Sequence, residues 1–543
     1  MKRIAFITLI LLQTIFLKAE DYLSVIQKAW NVEDYAAVID NANKLLSKSP
    51  KSTVGFYYRG MAYFHTEMYG QAISDFTFAI KHCSKKDTIV VASDIYGYRA
   101  KTFVITGDTA SALKDYSAAI KINPNDAELY INRGVLYENK LQYAEAESDY
   151  KKALDILQYN VDVEMRLAYC QTKQGKVSDA KATLERVIRM NPRNFDVKKE
   201  MALLCKSDND IKSFVDYYIE YLEYASDGDD EMLVEASRDE YDYTVSAIEK
   251  VLGETKYKSY WLSIRVKVDM ANNHYDVAIE GLKKIEEIHS DSIVSPFVYY
   301  RMAVCYSNIG EYSKAVSYYT TLIDFEENDN SLDADDIFGR GLCYENMGSF
   351  DNAMADYNRA LSMKDNDAEY LCHRGMLYEK IDSLQAAKVD YDKAIASDKD
   401  LAVAYLLRGK LLMRDFNDTN AAKSDFDEVL RLDTVVKSDS HRAQALCLLG
   451  KDNEAVAWIN KMLGQTPVLY SVYYEAACLY ALMGVCDSAV TYLGMAFEMR
   501  KFNNVQVQRE RDFDNVRQCE NFKALISQHS GKKLQEMFDS LKK

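Results

Sequence analysis

The sequence predicts an all-α fold, a superhelix (solenoid) of about fourteen stacked helix–turn–helix units. Three observations carry this. Alanines in segments of the type A-x-x-D-Y recur at a nearly fixed period: Ala112, Ala146 and Ala180 are 34 apart, and Ala353, Ala387, Ala422, Ala455 and Ala489 follow at 34, 35, 33 and 34. Around them, large apolar residues sit three and four positions from small ones, as Tyr130 and Tyr137 do around Gly134, and that spacing lines one face of a helix. Proline breaks helix interiors, and the chain holds only 5 in 543 residues, all near unit boundaries: Pro50, Pro124, Pro192, Pro296 and Pro467.

The chain opens on Lys2 and Arg3, an apolar run over residues 4–17 and a small residue at Ala19. That run is shorter than the roughly twenty residues a membrane span needs. It reads as a secretory signal peptide over 1–19, with no adjacent cysteine for a lipid anchor, and the chain is expected to be exported, to a periplasm or out of the cell. Loss of Lys2, Arg3 and Lys18 leaves 64 basic against 83 acidic side chains, a net charge of −19. A basic face is what nucleic acid requires, so nucleic acid is an unsuitable partner. No second apolar run of spanning length follows.

A first repeat array is expected over 20–194. About twelve residues before each marker alanine stands a Gly or Ala: Gly60, Ala100, Gly134, Ala168, Ala303, Gly341, Gly375, Ala443 and Ala477. These small residues let the two helices of a unit approach, and aromatics fill the space around them. Ala72, Ala278 and Ala315 join the series through longer linkers. Over 195–258 the register weakens, and the acidic stretch "YASDGDDEMLVEASRDEYD" suggests irregular helical repeats. A second array is expected over 259–503, and a C-terminal helical cap over 504–543, since the last unit's apolar face must be covered. More than half of the 41 tyrosines fall on equivalent repeat positions, which suits core residues with hydroxyls reaching polar partners. Cys170, Cys305 and Cys343 share one place in the repeat and read as small buried hydrophobes.

The pattern resembles the tetratricopeptide repeat family. The likeness rests on Tyr130, Gly134, Tyr137, Tyr143, Ala146, Tyr150 and Ala153 in one unit, and on Leu167, Ala168, Gly175, Ala180, Leu184 and Pro192 in the next. The resemblance implies a scaffold whose inner surface, built from the first helix of each unit, holds proteins or peptides. The implied inner positions are Tyr57 and Met61, Ile131 and Val135, Tyr300 and Val304, Phe338 and Leu342, Cys372 and Met376. Chaperone-binding members clamp a carboxylate with Lys and Asn there; here such charges are sparse, as at Lys101 and Lys410.

Six arginines stand just before the small residue, each matched by an aspartate on the second helix: Arg59/Asp75, Arg99/Asp115, Arg133/Asp149, Arg340/Asp356, Arg374/Asp390 and Arg408/Asp425. One dyad repeated six times along an array reads as a structural salt bridge rather than an active site. Whether the bridge lies at the surface or in the core is open at this point. Arg265 and Arg442 face Gly281 and Trp458 instead. Phosphate-loop, nucleophile-elbow and HExxH motifs are absent, the seven histidines are scattered, and acidic runs such as "DFEENDNSLDADD" lack the EF-hand pattern. No enzyme, cofactor or metal is expected. The reading is an extracytoplasmic scaffold for proteins or peptides, in envelope assembly or a secretion or surface complex. The alternative is a carbohydrate-binding component of a surface uptake system, with tyrosines stacking on sugars.

Overall fold

Short polar side chains set where the helices start. Asp34, Ser52, Asp108, Asn160, Asn194, Asp210 and Asp418 each accept a hydrogen bond from the backbone N–H three residues on, satisfying donors that a helix N-terminus leaves free. Inside several hairpins the first helix ends on a glycine at positive φ, such as Gly107, Gly175 and Gly348, a conformation glycine adopts without strain. The result, in a computed structural model that describes residues 22–83, 92–225, 229–289, 296–436, 441–465, 468–499, 507 and 510–528, is a chain of antiparallel helical hairpins with no strand among the described residues. The fold is an all-α array of the α–α superhelix type. The expected signal peptide lies outside the described residues.

The chain divides into two compact units, one ending at Ala236 and one starting at Ser237. The first unit pairs helix 22–31 with Tyr35–Lys48, then Thr53–His65 with Tyr69–His82, Ala92–Ile105 with Thr109–Ile122, and Ala127–Asn139 with Tyr143–Leu157. Val161–Lys173 with Val177–Met190 and Phe195–Ser207 with Ile211–Leu222 follow, before a short helix Glu231–Ala236. The second unit begins with Tyr241–Glu254. It then pairs Lys258–Ala271 with Tyr275–Ile288, Pro296–Asn308 with Tyr312–Asp329, Ala334–Asn346 with Phe350–Met363, and Ala368–Lys380 with Leu384–Ser397. Its last hairpins are Ala402–Arg414 with Thr419–Leu432, Arg442–Leu448 with Asp452–Leu463, and Tyr470–Leu482 with Cys486–Met499. Part of the stretch expected to be irregular, 195–222, is therefore an ordinary hairpin; its small residue, Ala202, lies 34 after Ala168 and is fully buried.

The marker alanines are fully buried at the hairpin contacts, Ala146 among them. The residue after each paired aspartate is aromatic, and its ring lies against the small residue of the first helix. A Cβ on Gly134 would meet Tyr150 Cε1 at 2.8 Å, and one on Gly341 would meet Tyr357 Cε1 at 2.8 Å. Burial removes these rings from water, and three of the tyrosines donate their hydroxyls to a carboxylate on the first helix: Tyr150 to Glu138 at 2.6 Å, Tyr357 to Glu345 at 2.5 Å and Tyr391 to Glu379 at 2.6 Å. Burial first, and then the adjacent carboxylate, raises the Tyr150 and Tyr391 phenols above their usual range.

All six arginine–aspartate pairs meet as paired hydrogen bonds. Arg133 Nε donates to Asp149 Oδ2 at 2.8 Å and Nη2 to Oδ1 at 2.7 Å. Arg59 holds Asp75 in the same way, and so do Arg99 Asp115, Arg340 Asp356, Arg374 Asp390 and Arg408 Asp425. The open question of surface or core is settled for the carboxylates: Asp75, Asp115, Asp149, Asp356, Asp390 and Asp425 are all buried. They are therefore closed to solvent and to any ligand, and they belong to the hairpin packing rather than to an accessible site. The physical reason is their place on the second helix. Each stands between the buried marker alanine and the buried aromatic that follow the same face, as Asp75 does between Ala72 and Phe76, and Asp425 between Ala422 and Phe426. The Asp75, Asp356 and Asp425 Cβ atoms also lie close under the glycines Gly60, Gly341 and Gly409, at 3.2–3.3 Å from where a Cβ would stand. A carboxylate taken from water in this way needs a paired, hydrogen-bonded partner, and the guanidinium supplies it.

The arginines keep 15–22% of their side chains exposed. Each arginine's Nη1 also reaches the second helix of the preceding hairpin: Asn43 from Arg59, Thr77 from Arg99, Ser117 from Arg133, Thr320 from Arg340, Asn358 from Arg374 and Asp392 from Arg408. The planar guanidinium thus ties three helices, which a lysine's point charge would not. The two exceptions find substitutes. Arg265 turns to Glu249 and to Asp269 on its own helix. Arg442 donates to the Leu430 and Asp433 carbonyls and lies over the Trp458 ring.

Candidate partner-binding groove

One row of first-helix positions, immediately after the small residue, recurs at 34-residue spacing apart from a longer step of 38 between Val304 and Leu342. In the first unit it runs through Val135, Tyr169 and Leu203, and in the second through Val304, Leu342, Met376, Lys410, Gln444 and Cys478. In the first unit this row borders an open groove of about 480 Å³ between the helices Val161–Lys173 and Phe195–Ser207. Its apolar floor includes Met165, Ala168, Leu203 and Leu204. Tyr169 projects at its edge, 45% exposed, with the Lys173 ammonium 5.3 Å from its ring centre. The rim carries both signs of charge: Arg166, 3.1 Å from Glu138, together with Lys173 and Glu200.

In the second unit the chain itself covers the C-terminal part of this row, at Lys410 and Cys478. The turn Arg511–Phe513 lies against Tyr470–Leu482 and reaches back across Ala402–Arg414. Phe513 is fully buried, with Val516, Phe522 and Ile526, against Ala477, Ala481, Leu493 and Phe497 of the last hairpin; this is the apolar face that needed a cap. Arg511 clamps Asp415 with two hydrogen bonds of 2.6 and 2.8 Å. Lys410 Nζ donates to Asp512 Oδ2 at 2.6 Å and to Gln444. Burial pulls the Lys410 ammonium down and Asp512 beside it pushes it up, leaving it net above its usual range. A cavity of about 160 Å³ remains under the strap, bordered by Met376, Lys410, Gln444 and Cys478.

The inner positions implied by the family resemblance divide into two groups. Met61, Phe338 and Cys372 are buried and belong to the hydrophobic core, not to an exposed strip. Phe338 stacks on Tyr370 with ring centres 4.3 Å apart, because aromatic side chains from neighbouring hairpins close over it. Tyr57, Ile131, Val135, Val304, Leu342 and Met376 are half-buried, and Tyr300 is 43% exposed. Met165, Tyr169 and Leu203, which form the open groove, are absent from the implied set. Their signal is in the sequence all the same: Met165 and Tyr169 stand three before and one after Ala168, and Leu203 one after Ala202.

Among the described residues no helix is long and apolar enough to cross a membrane, and no group of three or more His, Cys, Asp or Glu side chains is placed to hold a metal ion. Sequence models described as tetratricopeptide repeat match residues 136–204 in the first unit, and 298–329, 337–367 and 368–401 in the second; a model described as TPR repeat matches 100–140. The serine/threonine-protein phosphatase 5 of Rattus norvegicus is 24% identical over 173 residues, 31% of this chain and 32% of the phosphatase. A DnaJ homolog subfamily C member 7 homolog of Dictyostelium discoideum is 28% identical over 123 residues, 23% of this chain and 22% of that protein. The chain thus spans a third or less of the length of these two relatives. The solved structure of yeast Tom70 aligns with 89% of this chain and 96% of its own, at 15% identity and a TM-score of 0.35. The 34-residue hairpins and the models that match in both units show that this chain carries tetratricopeptide repeats over those stretches.

Proposed function

We propose that the protein is an extracytoplasmic scaffold that holds partner proteins or peptides on the inner row of its first helices, in envelope assembly or a secretion or surface complex. One observation carries the reading. The C-terminal part of the row already meets a peptide segment in the second unit, the chain's own Arg511–Phe513 at Lys410 and Cys478, while the matching row of the first unit is open at Tyr169 and Leu203. The open groove fits a segment that places an apolar side chain over Met165 and Leu203. That segment would stack a flat group on Tyr169 and meet Arg166 and Lys173 with acidic neighbours. Tyrosine is a frequent anchor in such contacts, and an apolar patch rimmed by polar residues marks a partner surface.

The test is selection of peptides from a random library on the immobilised full-length chain. Peptides with one or two large apolar residues should be enriched. Tyr169→Asp, at an exposed position, should weaken them by about tenfold or more, which corresponds to about 1.4 kcal/mol, with the far-ultraviolet circular dichroism unchanged. Failure to enrich any peptide, or equal binding by the variant, would overturn the reading. Binding of glycans with no peptide enrichment would favour carbohydrate uptake instead.

A further inference from the structure

Two cysteines meet where the C-terminal cap joins the last repeat. Cys486 is the first residue of the helix Cys486–Met499, and Cys519 stands just before helix 520–528. Both are half-buried and pack against the same apolar cluster, around Phe513 and Phe522. Burial first, and then the neighbouring Cys519, raises the Cys486 thiol, while the Phe522 backbone beside it acts the other way. The surrounding contacts keep the two segments together: Asn521 Nδ2 donates to Asp487 Oδ1 at 2.9 Å, and Asn515 Nδ2 to the Leu482 carbonyl at 2.9 Å. By contrast Cys170, Cys205, Cys305, Cys343, Cys372 and Cys478 are buried; at Cys170 and Cys305 burial raises the thiol to about 12, which leaves little thiolate to react.

We propose that Cys486 and Cys519 are a modification site, a dithiol that closes into a disulfide and fastens the cap to the last hairpin. The oxidant is a small-molecule disulfide such as oxidised glutathione. One cysteine thiolate attacks it, breaking the glutathione S–S bond; a mixed disulfide forms and the first glutathione leaves as a thiolate that takes up a proton. The second cysteine, having lost its own proton, attacks the mixed disulfide and releases the second glutathione. Two protein thiols are oxidised and one glutathione disulfide is reduced to two thiols. The second step is intramolecular between groups already in contact, which favours it strongly over a second glutathione adduct. The closed loop encloses Arg511 and Asp512, so the bond would also secure the strap that covers the C-terminal part of the row in the second unit.

The test treats the reduced full-length chain with oxidised glutathione at pH 8.5, since burial and the neighbouring Cys519 hold the Cys486 thiol up at about 11. Free thiols are then blocked and the protein is digested with trypsin. Trypsin cuts at Arg511 and Arg517, between the two cysteines, so only a disulfide joins their peptides. The expected result is one linked species, lighter than the two peptides together by two hydrogens and abolished by dithiothreitol. The oxidised chain should also melt at a higher temperature than the reduced one, and Cys519→Ser should leave a single glutathione adduct on Cys486. Separate glutathione adducts on both cysteines of the wild-type chain, or a link that forms only after unfolding in urea, would overturn the proposal.

Discussion

Gly375 is where the repeat geometry leaves least room. It lies on the first helix of its hairpin, under the ring of Tyr391. A Cβ there would sit 2.5 Å from Tyr391 Cε1, 2.9 Å from Cδ1 and 3.0 Å from Cζ. Ordinary contact needs the ring to retreat by about 1 Å. The ring has nowhere to go: Tyr391 is fully buried, its hydroxyl is held by Glu379 at 2.6 Å, and the preceding residue, Asp390, is clamped by Arg374. Overpacking of this kind typically costs about 1–3 kcal/mol. Alanine returns up to about 1 kcal/mol of helix propensity over glycine. The steric term wins, and Gly375→Ala should destabilise its hairpin by about 1–2 kcal/mol net. In a repeat array the loss is local and passes mainly to neighbouring repeats. Hydrogen exchange should therefore show it over residues 368–397, and urea unfolding should show an earlier onset. In a Tyr391→Leu background the clash is gone and the same alanine should stabilise. Gly70→Ala, where a Cβ meets nothing within 4 Å, should be neutral or mildly favourable. A wild-type-like Gly375→Ala chain would refute the close approach, and with it the packing described for Gly134, Gly341 and Gly409.

Ala146→Leu inserts three carbons where Ala146 is fully buried between helices; a loss of about 1–3 kcal/mol should appear in urea unfolding, with exchange faster over residues 127–157. Burial first, and then Glu326, Asp333 and Asp335, raises the Asp336 carboxyl to about 7. A carboxyl raised in the folded state stabilises it at low pH, and that contribution is lost as pH climbs from about 4 through about 7. Asp336→Asn should therefore raise the melting temperature at pH 8 more than at pH 5; equal shifts would contradict it. Phe338→Asp places a charge in the core beside Tyr370 and should unfold its hairpin, read as lost exchange protection over residues 334–363. N-terminal sequencing of exported protein should begin near Glu20, and an intact Met1 would contradict the signal peptide.

The hairpin array was legible because helix contact leaves a periodic imprint: small residues where backbones meet, aromatics where they stack. The pairing of six arginines with six aspartates could be read from their matched presence. The depth of the carboxylates could not, since a salt bridge has the same sequence pattern at the surface as at Asp115 or Asp356, where alanine and tyrosine on the same face enclose it. Nor could the arginines' reach into the preceding hairpin, because the third partner varies among Asn, Thr, Ser and Asp. The inner row was legible in position and illegible in exposure. Met61 and Phe338 occupy equivalent places to exposed residues, and only the neighbouring aromatics decide that they are covered. The strap at Arg511–Phe513 left no local signal either. Its partners, Lys410 and Asp415, lie about a hundred residues earlier in the chain, and nothing periodic links them.

The most direct test of the scaffold reading is a photo-crosslinking residue placed at Tyr169 in the full-length chain in its native host. A second chain carries it at Ala182, exposed on the second helix of the same hairpin. The groove account predicts a discrete crosslinked partner from position 169, mapped to an apolar segment of that partner and absent from position 182. No adduct at 169, or the same adducts from both positions, would contradict it.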